Sequence, residues 1–461
     1  MTLLRSINPS NGQLLGEVPA TPLGAIPAMV KRAKKAQNEW YNKGLSYRLA
    51  CLERLADLME KNKESLSRLT AQEMGRPYPS CLDLADYAIA QFRWNLKHAS
   101  SFLSNEITYE DDATIHEVIY EPWGVVACIM AWNFPIGNFA FSVTQALIAG
   151  NSVIVKYSEE IPIFSKTLEG FCALADLPDG VLSFVHGGKE SGAMLTDQPI
   201  DLISFTGSSA TGRALRVKAA EKGIPVVLEM GGSSPGIVFA DADKTDLWQQ
   251  IFDFRFANTG QFCDNLKRLI VHRSLFDESV ETLASLARQA RLGDPFDAQT
   301  DLGPLVAERQ VVVLEEQVQD ALAKGATLVC GGKRPADLVG AWYEPTLLTN
   351  ITRDMRVWSE EVFGPVLPIV PFDAYDEALA LANDTSYGLT AYAFTAHPET
   401  AQRVLGDLQA GCVSLNGADY FRPENPFGGY KNSGSGRENG KWGFHDVCQV
   451  KLCARPKSRA K

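Results

Sequence analysis

Apolar residues recur at three- and four-residue spacing through AIPAMVKRAKKAQNEW and again through YRLACLERLADLMEKNKESLSRL. Residues 22–102 therefore read as a run of helices, each burying one face. The period then shortens: ATIHEVIYEPWG alternates apolar and polar positions, as a strand with one wet face does. From 124 onward come short unbroken apolar runs. Those at 124–130, 152–156, 181–185 and 202–205 read as strands, with helices over 135–148 and 162–175 between them. Such strands are buried on both faces, which implies a parallel sheet covered by helices. A second series begins near Ile237 and runs to about Phe427, with strands at 268–271, 327–329, 366–370 and 391–395. The glycine-rich stretch 427–443 ends it. The expected fold class is α/β, with two doubly wound, Rossmann-like domains.

Bulk properties narrow the partners. A chain of 461 residues exceeds what one core usually holds. The net charge of -11 argues against a nucleic acid or an anionic membrane surface as partner. The longest apolar run, 124–131, is too short to span a bilayer, and MTLLRSINPSNGQLLG lacks the basic-then-apolar order of a leader. A cytoplasmic location is the expectation. Nine cysteines without a CxxC pair and six histidines without HExxH read as free thiols and no metal site. The closing RPKSRAK reads as a frayed basic tail.

Taken singly, the chemical motifs stay ambiguous. FTGSSATG sets Gly207 and Ser208 between a strand and a helix, whose free N–H groups suit a phosphate. The nearest thing to GxGxxG, at Gly434, Gly436 and Gly440, has the wrong last spacing and reads as a turn. Gly232-Ser-Ser234-Pro-Gly236 fits the GxSxG of serine hydrolases, with Ser234 as nucleophile. The IVFA that follows reads as a strand, where that motif needs a helix. Cys263 in NTGQFCD sits after a Gly-Gln turn, which suits a nucleophile or a structural cysteine.

Seven motifs occur in order, within a resemblance that runs from Asn8-Pro9 to about Lys451: AWNFP, VIVKYSEE, FTGSSATG, LEMGGSSP, NTGQFC, EEVFGPV and NPFGGYKNSGSGRE. Together they resemble the NAD(P)-dependent, non-acylating aldehyde dehydrogenase superfamily. The resemblance implies Cys263 as the nucleophile that forms a thiohemiacetal and then a thioester. It implies Asn133 and the Cys263 N–H as oxyanion donors, and Glu229 as the base that activates water, so that the product is an acid. For the cofactor it implies Lys156 and Glu159 at the adenosine ribose, with Glu160 as the alternative acid. Gly207 and Ser208 fall at the pyrophosphate, Glu361 at the nicotinamide ribose, Phe363 near the ring and Trp132 in the cleft wall. A carboxylate at Glu159 repels a 2′-phosphate, so NAD is expected ahead of NADP.

The resemblance also places Asn138, Phe141, Phe262, Asp264, Phe421 and Phe427 along the aldehyde tunnel, an aromatic lining that suits a compact substrate. The GGS of LEMGGSS, the NTGQ lead-in and the tail FHDVCQVK are similar to a short bacterial succinate-semialdehyde dehydrogenase group. That ranks succinate semialdehyde first and short aliphatic aldehydes second. A carboxylate-bearing substrate needs a cation, for which Arg422 or Lys267 could serve. Two positions depart from the family pattern. Tyr157 follows Lys156 where proline is common. Asp264 opposes thiolate formation if it faces the sulfur, unless it turns toward Lys267 or Arg268. The implied domains are 1–103 with 123–231 for the cofactor and 232–428 for catalysis. A small β oligomerisation element comprises 104–122 with 429–461. Its strand over 113–119 and the C-terminal tail suit pairing into a homodimer or homotetramer.

Overall fold

The computed structural model describes residues 2–457, so 458–461 of the basic tail lie outside the described residues. The helical run is Ile26–Asn42, Leu45–Lys61, Lys63–Met74 and Tyr78–Phe102. The last of these buries Cys81, Ala85, Ala88, Phe92, Leu96 and Ala99, the three- and four-residue stripe that its sequence carries. Before it stands a hairpin, Leu3–Ile7 against Leu14–Pro19, which the periodicity does not mark.

Two parallel sheets follow. The first has six strands in the order Gly434–Ser435, Val226–Glu229, Leu202–Thr206, Val125–Met130, Ser152–Tyr157 and Leu182–Phe184. All its pairings are parallel except that of Gly434–Ser435. Every residue of Ser152–Tyr157 is buried, as its unbroken apolar run requires. The second sheet has seven strands: Thr327–Cys330, Thr346–Thr349, Val366–Phe372, Leu266–His272, Ser234–Val238, Thr390–Phe394 and Cys412–Leu415. Only Thr327–Cys330 pairs antiparallel. A third, antiparallel sheet joins Cys448–Pro456, Thr114–Pro122 and Glu106–Glu110.

The chain crosses from the first sheet to the second between Glu229, which ends one strand, and Ser234, which begins the next. The short segment MGGS spans that gap, so the motif LEMGGSS is the bridge over the cleft. The helix expected at 135–148 forms as Pro135–Asn138, a π turn over Phe139–Val143, and Thr144–Ala149. Among the described residues no helix is long and apolar enough to cross a membrane.

Candidate active site

The cleft between the two sheets holds a cavity of about 400 Å³. Asn133, Glu229 and Cys263 all line it, although they come from three separate stretches of the chain. Thr206, Gly207 and Ser208 line one part, with Glu361 and Phe363; Phe141, Phe262, Asp264, Phe421 and Phe427 line the rest. Asn138 also reaches it.

The turn that carries Cys263 is strained. Asn258 and Thr259 have φ of 53° and 55°, in the left-handed region that a β-branched residue rarely enters. Gly260 follows at 76°, where a Cβ would come within 2.3 Å of the Gly364 carbonyl. Side chains hold this backbone in place. Thr259 Oγ1 donates to the Gly303 carbonyl at 3.0 Å, and Gln261 Oε1 accepts from Val306 N–H at 2.9 Å. Asn133 Nδ2 donates to the Gln261 carbonyl at 3.0 Å, which fixes its amide beside the cysteine. Each letter of NTGQ thus serves the turn. Burial, with Asp264 adding to it, pushes the Cys263 thiol well above its ordinary value, and Lys267 opposes that rise.

Glu229 is buried, and among the described residues neither carboxyl oxygen has a hydrogen-bond partner. Burial and then Glu438 push it well above the usual carboxylate range, against Arg437. Glu438 is a second buried acid on the cavity wall, bonded to Ser142 Oγ and raised to about 7 by burial.

Asp264 turns toward neither Lys267 nor Arg268. Its Oδ2 accepts from Tyr420 Oη at 2.7 Å, and its carbonyl accepts from Tyr392 Oη at 2.7 Å and Thr390 Oγ1 at 3.0 Å. Arg268 is spent on the carbonyls of Ser233, Leu381 and Ala382. The two cations considered for an anionic substrate are also committed elsewhere. Lys267 pairs with Glu361 at 2.5 Å, and the exposed Arg422 pairs with Asp419 at 3.1 Å. Neither lines the cavity.

On the cofactor side, Ser208 caps the helix Ser209–Lys222, its Oγ accepting from Thr211 N–H. Lys156 is buried and meets Glu159 at 3.3 Å, while Glu160 pairs instead with Arg309 at 2.6 Å. Burial lowers Lys156; for Glu159 burial works upward, but Lys156, a backbone N–H and Arg309 together outweigh it and the carboxyl is lowered. Trp132 stands behind the wall, edge-on to Phe363 at 5.7 Å between ring centres. Tyr157 is buried and donates to the Pro135 carbonyl at 2.7 Å, so it braces the AWNFP turn. A glycine-lined turn, a helix start and a buried lysine paired with an exposed acid fit a dinucleotide.

Ser234 is buried at the start of a strand, its Oγ shared with Thr390 Oγ1 at 2.5 Å. The hydrolase elbow needs a helix there, and the strand removes it. The sequence reading missed Tyr392, Tyr420 and Glu438. Glu438 ends the recognised NPFGGYKNSGSGRE, so the motif contained the signal; the two tyrosines had none, because their partner is distant in sequence.

Comparison with known proteins agrees with this geometry. The profile described as Aldehyde dehydrogenase family matches residues 2–453. The chain is 39% identical to 3,6-anhydro-alpha-L-galactose dehydrogenase of Streptomyces coelicolor, over 96% of this chain and 91% of that one. It is 36% identical to the mitochondrial succinate-semialdehyde dehydrogenase of Mus musculus, over 96% and 86%. The NAD+ complex of an aldehyde dehydrogenase from Bacillus cereus superposes with a TM-score of 0.95 at 32% identity, covering 99% of this chain and 94% of that one. The chain belongs to the aldehyde dehydrogenase family and is an NAD(P)-dependent aldehyde dehydrogenase.

Proposed function

We propose that the enzyme oxidises a compact, uncharged aldehyde to its carboxylic acid through a thioester on Cys263. The observation that carries this is Glu229: a buried carboxyl with both oxygens unpartnered among the described residues, on the same cavity wall as Cys263 and Asn133. A carboxyl so placed has no structural partner to explain it, and it suits general-base work on water. The Cys263 sulfur attacks the carbonyl carbon. Asn133, held by the Gln261 carbonyl, keeps its second amide hydrogen for the oxyanion. When bound, NAD(P) supplies the acceptor for the hydrogen and electron pair that the aldehyde carbon loses. Glu229 then takes a proton from the water that cleaves the thioester, which favours an acid product over an acyl-CoA. Lys156 and Glu159 would hold the adenosine ribose, Gly207 and Ser208 the pyrophosphate, and Glu361 and Phe363 the nicotinamide end. The Glu159 carboxylate favours NAD.

The substrate class rests on the lining. Phe141, Phe262, Phe421 and Phe427 give aromatic walls, and among the described residues the charged side chains of the lining are all acidic, with no lysine or arginine. Succinate semialdehyde is the second reading, favoured by the 36% identity to the mouse enzyme named for it. The six-stranded sheet would form the cofactor domain and the seven-stranded sheet the catalytic domain. Ile107 and Tyr109 on one edge strand of the small sheet, and Val450 and Leu452 on the other, are exposed. They suit pairing into a dimer or tetramer; light scattering that finds a monomer would remove this part. Free thiols throughout the described residues suit a reducing compartment such as the cytoplasm.

The test follows reduced nicotinamide by absorbance with NAD or NADP and a panel of aldehydes, without coenzyme A. Folded Cys263→Ala should lose turnover by about 10⁴-fold or more. Glu229→Gln should give a burst of up to one equivalent and then stall. Full turnover in Cys263→Ala, or an unstalled Glu229→Gln, would sink the assignment.

A further inference from the structure

Lys267 is a fully enclosed cation behind the cavity wall. Its side chain is 1% exposed, and its ammonium donates to Glu361 Oε1 at 2.5 Å, the Gly232 carbonyl at 2.9 Å and the Cys263 carbonyl at 3.2 Å. It also lies 5.0 Å from the centre of the Phe363 ring. The Glu361 carboxylate accepts from Gly232 N–H at 3.1 Å and lies so close to Gly231 that a Cβ there would meet Oε2 at 1.9 Å. One carboxylate therefore neutralises the lysine, and the lysine touches the backbone of the nucleophile.

One further cation lies near the same carboxylate. Arg255 faces both Lys267 and Glu361; it donates to the carbonyls of Val362, Gly364 and Val366, and its Nη1 has no partner among the described residues. Asp264, Glu229, Glu361 and Lys267 all face Cys263, with Asp264 held by Tyr420. Tyr387 faces Glu361 and is a neutral phenol, raised by its own burial.

We propose that Lys267 is a positioning residue through which cofactor binding activates the nucleophile: when Glu361 turns to the cofactor ribose, the ammonium loses its counter-charge and the Cys263 thiolate replaces it. This rests on the reading of Glu361 as a cofactor ligand. The S–H bond breaks heterolytically, the electron pair stays on sulfur and the proton leaves to solvent; nothing is oxidised or reduced. A buried ammonium without a counter-ion is strongly disfavoured. Either a nearby group ionises to meet it or the lysine itself loses its proton, and the second course is the competing outcome. The resting state agrees with the proposal, since burial and Asp264 keep the thiol protonated while Glu361 occupies the lysine. The arrangement spares the free enzyme a reactive thiolate before cofactor and aldehyde arrive.

The test is the pH profile of inactivation by iodoacetamide, with and without NAD, in the wild type, K267M, K267R and E361Q. In the wild type NAD should move the midpoint acidward by about one to three pH units, the range that an unopposed neighbouring cation produces. It should also release up to one proton per site into weak buffer. In K267M the shift should vanish while NAD still binds, and K267R should restore part of it. E361Q without NAD should already show the lowered midpoint. A wild-type shift in K267M, or an unshifted E361Q, would overturn the proposal. NAD affinity of E361Q is measured alongside. Unchanged affinity would remove Glu361 from the cofactor site, and the cofactor-free profiles of E361Q and K267M would then judge Lys267 alone. Should K267M fail to fold, Lys267→Gln replaces it.

Discussion

The turn before the helix Ser209–Lys222 and the turn before Cys263 both open onto the same cavity, yet they are built in opposite ways. The first is local. Ser208 caps its own helix through Thr211, and Gly207 N–H donates to the Glu229 carbonyl at 2.9 Å. Its residues are comfortable where they sit. The second is strained at Asn258 and Thr259 and is held by groups far along the chain: Asn133, Gly303 and Val306. A phosphate-binding turn needs only aligned N–H groups, which a helix start supplies unaided. A nucleophile must be held against an oxyanion donor and a base, and no single element offers all three.

Substitutions can break this contrast. Asn133→Ala should cost most, about 10²–10³-fold in kcat, because it removes an oxyanion donor and a tether of the strained turn together. Steady-state rates at saturating NAD would show it; a change in KM alone would count against the role.

Glu438→Gln should act through pH. Burial raises this carboxyl from 4.5 to about 7, so the folded chain holds the proton more tightly than the unfolded one. Its stabilising contribution is complete below about pH 4.5 and is lost as the pH rises to about 7. The uncharged glutamine escapes that loss. The variant should therefore gain about 2–3 kcal/mol on the wild type between those limits. Thermal melts across that window check it, and a difference independent of pH would refute it.

Gln261→Ala should cost about 1–3 kcal/mol, the price of leaving Val306 N–H buried without its acceptor. Denaturant midpoints measure this, with an accompanying fall in kcat as the Cys263 turn loosens. Ser208→Ala should do least. Losing the cap costs about 1 kcal/mol, and its effect should appear in the KM for NAD with kcat nearly intact. An effect of Ser208→Ala on kcat as large as that of Gln261→Ala would erase the distinction between the turns.

Much of this was legible in the sequence. The apolar runs at 124–130, 152–156 and 202–205 marked strands of the six-stranded sheet, since fully buried strands carry no polar alternation. Glu229 stood out as an acid closing an apolar strand, and it is buried. Other features were hidden. The hairpin Leu3–Ile7 with Leu14–Pro19 is mostly exposed, so no hydrophobic period announces it. The direction of Asp264 depended on Tyr420, 156 residues away, and Lys267 was open to an anionic substrate until Glu361, 94 residues away, was found to hold it.

By itself the sequence determined the α/β class and marked strands of both parallel sheets, and it named the residues proposed to carry the chemistry, because periodicity, turns and reactive side chains are local properties. Only the tertiary structure decided which charge meets which. It joined Lys267 to Glu361, turned Asp264 to Tyr420 and left Glu229 without a partner among the described residues. Such pairings are made where chain segments meet in a buried space, and there the loss of water makes each partner count.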